Sequence, residues 1–260
     1  MKSCVLALAF GALLGSAAPV FAQAGSSKTD IGAAQGSQAF TVKHHLIVWG
    51  SLGLDLDVIG DVTAGALGTI RGTPVLVSAT AFPDVYVATQ RRRYLGVGYG
   101  VFDKTELFVR YQEANNPAAT VVIGQFGTSA STFAVAFDNY KDRLVEFGLR
   151  KYIATPKNSR QYFAIVGGMK QVDPLGIVLQ VPGGSVRTEL YSQSRIPSFG
   201  LEFGVSLEFH KLGIFLESGL RYQQRLTRND ADLAPYGLED LNNTAIRLFM
   251  PINAGLLLRF

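Results

Sequence analysis

The last stretch of the chain, Ile246-Arg247-Leu248-Phe249-Met250-Pro251-Ile252-Asn253-Ala254-Gly255-Leu256-Leu257-Leu258-Arg259-Phe260, alternates with period two over its whole length. Ile246, Leu248, Met250, Ile252, Ala254, Leu256, Leu258 and Phe260 share one face. Arg247, Phe249, Pro251, Asn253, Gly255, Leu257 and Arg259 share the other. Successive side chains of a strand point to opposite faces, so this pattern predicts a strand between an apolar and a more polar environment.

The same scheme recurs upstream in segments of about ten residues. Ser198 to Phe209 sets Phe199, Leu201, Phe203, Val205, Leu207 and Phe209 against Gly200, Glu202, Gly204, Ser206 and Glu208. Gly213 to Gln224, Asp142 to Tyr152, Arg92 to Phe102, Glu106 to Gln112, Leu46 to Val58 and Tyr162 to Lys170 follow suit. With the terminal segment these make eight predicted strands. Two further alternating runs, Pro74 to Thr80 and Val121 to Phe137, either prolong neighbouring strands or add a hairpin, which would raise the number to ten.

The connections alternate in length. Asp103-Lys104-Thr105, Ile153 to Gln161 and His210-Lys211-Leu212 are short, whereas 59–91, 113–141, 171–197 and 225–245 are long and rich in Gly, Pro, Asn and Asp. Short turns at one end and long loops at the other describe an antiparallel barrel with periplasmic turns and extracellular loops. Hydrophobic content is 48%, yet after the N-terminal region no stretch reaches the roughly 18 apolar residues of a spanning helix. The expected fold is therefore all-β, a closed antiparallel transmembrane barrel over 40–260.

Ahead of it, Met1-Lys2, the apolar run Val5 to Leu14 and Val20-Phe21-Ala22-Gln23-Ala24 have the anatomy of a signal peptide over 1–24, cut after Ala22 or Ala24. Residues 25–39 are expected to form a flexible tail. The single cysteine, Cys4, precedes the apolar run, so disulfides and thiolate metal sites are excluded from the mature chain. A net charge of +4, with basic residues scattered apart from Arg91-Arg92-Arg93, gives no footing for nucleic-acid binding.

The octet Asn253 to Phe260 resembles the C-terminal signal read by the outer-membrane barrel assembly machinery, with Asn253, Gly255, Leu258 and the terminal aromatic Phe260 in the family's places. On these residues the chain resembles small outer-membrane barrels of the OmpA, OmpX and OmpW type, without the peptidoglycan-binding domain that some of them append. The resemblance implies an exported monomer in the outer membrane. Its expected partners are outer-membrane lipid, lipopolysaccharide and the assembly machinery, and no cofactor is expected.

The expected inward face carries Asp55, Asp57, Glu106, Arg110, Glu146, Arg150, Glu202, Glu208, Glu217, Arg221, Arg247 and Arg259. Eight strands enclose a space that side chains just fill, so these charges must pair across the lumen. The core of that network is expected to be Glu106, Arg110, Glu146, Arg150, Glu202, Glu217, Arg221 and Arg247, with Gly96, Gly98, Gly100, Gly148, Gly200, Gly204 and Gly219 making room for the long side chains. An ion path through it is the alternative to a salt-bridged filling. Outward aromatics are expected at the two interfaces, Tyr111, Phe199 and Tyr222 at the loop end, and Phe163, Phe209 and Phe260 at the turn end.

Catalytic constellations are poorly supplied. A Ser–His hydrolase or a carboxylate–His protease needs a histidine at the loop end, and His44, His45 and His210 all fall near the turn end. Adjacent His44 and His45 point to opposite faces of an extended chain and make a poor metal pair. The acidic loop 229–240 lacks EF-hand spacing, and Gly96-x-Gly98-x-Gly100 is followed by no helix. The leading expectation is a structural or surface-interaction barrel acting through its extracellular loops. A narrow, porin-like channel for small or apolar solutes comes second, and a soluble lipocalin-like ligand carrier third.

Overall fold

The computed structural model describes residues 40–86, 92–127, 131–154, 158–181 and 183–260. The expected signal peptide and tail lie outside the described residues, as does Arg91. Eight strands close into one antiparallel barrel: β1 (Leu46–Ile59), β6 (Arg92–Phe102), β7 (Thr105–Asn116), β10 (Tyr140–Ala154), β11 (Ser159–Val172), β14 (Ser194–Phe209), β15 (Leu212–Gln223) and β16 (Arg247–Arg259). They are the eight segments expected from the alternation. Closure joins β1 to β16, with Ile47 opposite Arg259 and Leu52 opposite Ala254, so no sheet edge is left unpaired.

The alternation sorts the wall into two faces. Outward, Leu52, Leu95, Phe147, Ile165, Leu201, Phe203, Ile214 and Leu256 are exposed. Inward, Glu106, Glu146, Glu202, Glu217, Arg110 and Arg221 are buried. Met250 departs from the pattern, being buried despite its outward parity. The turn end is filled from below. Val42 is buried, Phe40 stacks edge-on against Tyr152 at 5.3 Å, and the chain pairs at Lys43 with Gly100.

The long connections were expected as loops, with two of their runs either prolonging barrel strands or adding a hairpin to the wall. They do neither. The first connection forms the hairpin β3 (Ala66–Ile70) and β4 (Thr73–Val77), and the second forms β8 (Thr120–Phe126) and β9 (Thr132–Phe137). The third forms β12 (Leu175–Val181) and β13 (Gly184–Tyr191). These three hairpins join side by side into a separate six-stranded sheet, β13-β12-β9-β8-β4-β3. A small ladder of β2 (Asp61–Thr63) and β5 (Thr80–Ala81) lies beside it, followed by the one-turn helix α1 (Phe82–Val85). At the β3–β4 tip Arg71 and Gly72 both take positive φ, 51° and 76°, as the tight primed turn of a two-residue hairpin requires.

The fourth connection is helical. It holds α2 (Asp230–Leu233) and two short 3-10 turns, Ala234–Tyr236 and Glu239–Asn242. It touches both edges of the outer sheet. The Thr188 hydroxyl of β13 donates to the Asp232 carbonyl at 3.1 Å, and Asn242 Nδ2 donates to the Leu190 carbonyl at 3.0 Å. On the β3 side, a Cβ placed on Gly68 would collide with the Tyr236 carbonyl and the Leu238 side chain. The inner face of this ring is one apolar core, including Val75, Val77, Phe133, Val135, Leu175, Ile177, Leu179, Leu190, Leu233, Leu238 and Leu241.

Candidate functional site: a charged lumen beneath an apolar cap

Arg110, at the middle of β7, organises the central lumen. Its Nε lies 2.8 Å from Glu146 Oε2 on β10, and one terminal nitrogen lies 3.0 Å from Glu217 Oε1 on β15. The other reaches Glu202 on β14. Arg221 pairs with Glu146 and Glu202, and Arg150 pairs with Glu106 at 3.1 Å and with Glu217 at 3.4 Å. Tyr152 and Tyr162 donate their hydroxyls to Glu106 and Glu217 at 2.9 and 3.2 Å, and Asn253 Nδ2 donates to Glu217 at 3.3 Å. The Arg150 guanidinium also lies within 5.0 Å of the ring centres of Trp49, Phe108 and Tyr162. A guanidinium taken from water needs this many partners to offset its lost hydration.

Seven of the eight residues expected in the network therefore meet. Arg247 does not join them. It sits closer to the loop end, paired with Asp57 and 3.8 Å from Asp55, between the rings of Phe82 and Phe249. Arg92 pairs with Asp55 beside it, and Lys170 bonds Asp142 at 3.2 Å and Gln223 at 2.9 Å. Arg92, Asp142 and Lys170 were not anticipated as network members, although each has inward parity. A separate pair, Arg259 with Glu208 at 2.9 Å, closes the turn end under Phe40.

The inward glycines also serve differently from expectation. Gly98 and Gly200 leave space for Glu106 and Arg221, as anticipated. Gly96, Gly148 and Gly204 instead leave space for the rings of Trp49, Phe108 and Tyr162, which a Cβ would strike. The lumen is thus filled by aromatic rings as well as by ion pairs.

Above the charges lies the apolar core of the outer sheet. Tyr86 and Tyr191 are fully buried there and donate their hydroxyls to the carbonyls of Asp138 and Val62, at 3.2 and 3.0 Å. Burial pushes both phenols above their ordinary range, because the charged form loses its hydration.

The three histidines lie at the turn end. His44 Nδ1 is 3.1 Å from the Tyr99 hydroxyl, His45 Nδ1 is 3.0 Å from the Phe260 carbonyl, and His210 occupies the β14–β15 turn with positive φ. Of the C-terminal residues, Asn253 points into the lumen, while Leu258 and Phe260 face outward and are about half exposed. Phe260 is tied to Leu46 by two backbone bonds of 2.8 and 3.1 Å, at the seam where the barrel closes. The outward aromatics Tyr111, Phe199, Tyr222, Phe209 and Phe260 are all exposed, and Phe163 is partly so.

A closed wall with its apolar residues outside and its charges inside can rest only in lipid. The chain is an eight-stranded outer-membrane β-barrel. A soluble carrier of the lipocalin kind would need the reverse arrangement, and that reading is overturned by the exposed apolar wall. No helix among the described residues is long and apolar enough to cross a membrane, which leaves crossing by strands untouched.

No protein-family model matches the chain, and no curated protein sequence does. Solved structures similar to it include the outer-membrane protein OprG from Pseudomonas aeruginosa, with 11% identity over 85% of this chain and 97% of that one and a TM-score of 0.45. Neisserial surface protein A has 11% identity over 83% and 96%, with a TM-score of 0.40. The outer-membrane protease OmpT from Escherichia coli has 6% identity over 86% and 99%, with a TM-score of 0.38. At such scores these likenesses assign no residue and no role to this barrel.

Proposed function

We propose that this barrel is a sealed, non-catalytic platform that presents its outer sheet for interaction at the cell surface. The observation that carries the reading is the joining of three loop hairpins into one sheet with its own apolar core, held at both edges by the fourth loop. Ordering loops costs conformational entropy, about 1–2 kcal/mol per residue, and a mere connector has no use for that order. A surface fixed in advance binds a partner without that cost at the moment of contact. A binding role rather than a catalytic one is supported by the histidines, which lie at the end opposite this surface.

Sealing follows from two layers in series. Hydrated ions would have to displace guanidiniums paired to carboxylates, then cross a packed apolar core. Purified protein in planar bilayers is therefore expected to give no steady conductance. Stable open single-channel currents from the wild-type protein would replace this reading with the channel for small or apolar solutes. The platform itself is tested by replacing residues 66–77 with a short Gly-Ser linker. The barrel should still fold, and adhesion of bacteria carrying it to cells or matrix should fall. Undiminished adhesion would remove the interaction role.

A further inference from the structure

The outward wall changes character abruptly at its loop-side rim. In β6, β10 and β14, the three strands that enter the wall from the first three long connections, the last apolar outward residues are Leu95, Val145 and Pro197. Two positions nearer the loops, on the same face, each of these strands carries an arginine: Arg93, Arg143 and Arg195, all exposed. The ladder places them in one row across five adjacent strands. Arg93 is opposite Glu113, Glu113 opposite Arg143, Arg143 opposite Gln171, and Gln171 opposite Arg195. Glu113 offsets part of this charge, with its carboxylate 3.8 Å from Arg143. The other side of the barrel differs: β16 is preceded on its outward face by Ile246, and the arginine beside it, Arg247, is turned into the lumen.

We propose that Arg93, Arg143 and Arg195 form a binding row for phosphate groups carried by the lipid headgroups of the loop-side leaflet. The proposal rests on the reading of the chain as a membrane barrel and adds a lipid class and named residues to it. On each of these strands the arginine stands one outward position beyond the last apolar residue, on the loop side of the band that faces the acyl chains. Barrel strands tilt by about 35–45°, so the row climbs across the wall and meets the loop-side headgroups at successive heights. Guanidinium is the side chain best matched to phosphate, because its planar fork donates two parallel hydrogen bonds and keeps its charge. Neighbouring strands are about 4.8 Å apart, so alternate strands of the row set successive arginines roughly 10 Å from one another. That spacing suits a lipid bearing two separated phosphates, or two neighbouring lipids, better than a single small anion.

The test uses the full folded protein in zwitterionic detergent micelles, titrated with bisphosphorylated lipid A, with the same lipid after removal of both phosphates, and with inorganic phosphate. The wild type is expected to bind the phosphorylated lipid saturably, and R143Q with R195Q should weaken that binding by about tenfold or more. R195Q alone serves if the double variant fails to fold, and K211Q, in the β14–β15 turn, should bind as wild type. Equal binding by wild type and variants would overturn the proposal. So would equal affinity for the dephosphorylated lipid, or tight binding of inorganic phosphate alone, which would make the row a site for a free anion. Failure of the membrane-barrel reading would look different, since the wild-type protein would then be monomeric and soluble without detergent.

Discussion

Arg110 and Glu146 face each other directly across β7 and β10, and the same Arg110 fork reaches Glu217 on the far side of the lumen. One guanidinium thus ties strands that are not neighbours in the wall. Removing Glu146 and Glu217 together, as E146A with E217A, leaves Arg110, Arg150 and Arg221 short of partners in a buried space. Breaking a buried ion pair costs about 3–5 kcal/mol. A loss in that range is expected in urea unfolding from detergent micelles. A double variant as stable as wild type would show the network to be energetically idle.

The outer wall is predicted to tolerate charge far less than the outer sheet. Leu201 is half exposed on the apolar band of β14, and L201R should cost about 2–4 kcal/mol if it lies near the bilayer midplane. Leu67 is more exposed still, but on β3 of the outer sheet, and L67R should change stability by less than about 0.5 kcal/mol. Equal costs at the two positions, measured by unfolding in lipid vesicles, would contradict the assignment of faces.

Leu179 is fully buried in the apolar core above the lumen. Truncating it, as L179A, leaves a cavity and should destabilise the outer sheet by about 2–5 kcal/mol. Limited proteolysis is expected to cut the long connections of this variant first, leaving a protected barrel. Cleavage that begins in barrel strands would show that the two layers do not open separately.

Alkali should loosen the same layer. The folded state raises the Tyr86 and Tyr191 phenols, so it holds their protons more tightly than the unfolded chain does. The stability they contribute is complete below the ordinary phenol value of about 10 and falls as pH rises beyond it. Ultraviolet titration should show these phenols ionising only as the outer sheet opens. Reversible ionisation of all tyrosines near pH 10 in the folded protein would refute this.

The C-terminal octet gives a separate expectation, carried by its resemblance to an assembly signal. Deleting Phe260 should reduce the heat-modifiable, folded barrel recovered from the outer membrane. The deletion also removes the backbone bonds to Leu46, so refolding of the purified variant in micelles must be measured beside it. Normal refolding with poor insertion in cells supports the signal. Normal insertion in cells removes it.

The eight wall strands were legible because each separates two media, lipid outside and charge inside, and a two-residue period records that contrast directly. Parity placed Arg247 on the correct face but could not give its level. Alternation states which way a side chain points and says nothing of how far along the axis it lies, so Arg247 looked like a companion of Glu217. Arg92, Asp142 and Lys170 escaped for a related reason: they sit at strand ends, where a charge reads as the beginning of a loop. The outer sheet was less legible still. In β12, Leu175, Ile177 and Leu179 face the core, while on the opposite face Gly176 is buried and Val178 only partly exposed, so little contrast marks the strand. One of its two neighbours, β9, comes from another connection, and pairing of Leu179 with Val135 leaves no local trace in either segment.

The joining of β4 to β8 and of β9 to β12 has a kinetic consequence. Each pair links hairpins from connections separated by barrel strands, so neither can form until those strands stand side by side. Loop closure over such distances is slow unless an existing scaffold shortens the search. The outer sheet should therefore be the last layer to zip, and protection of its amides from hydrogen exchange would act as a clock for completed insertion.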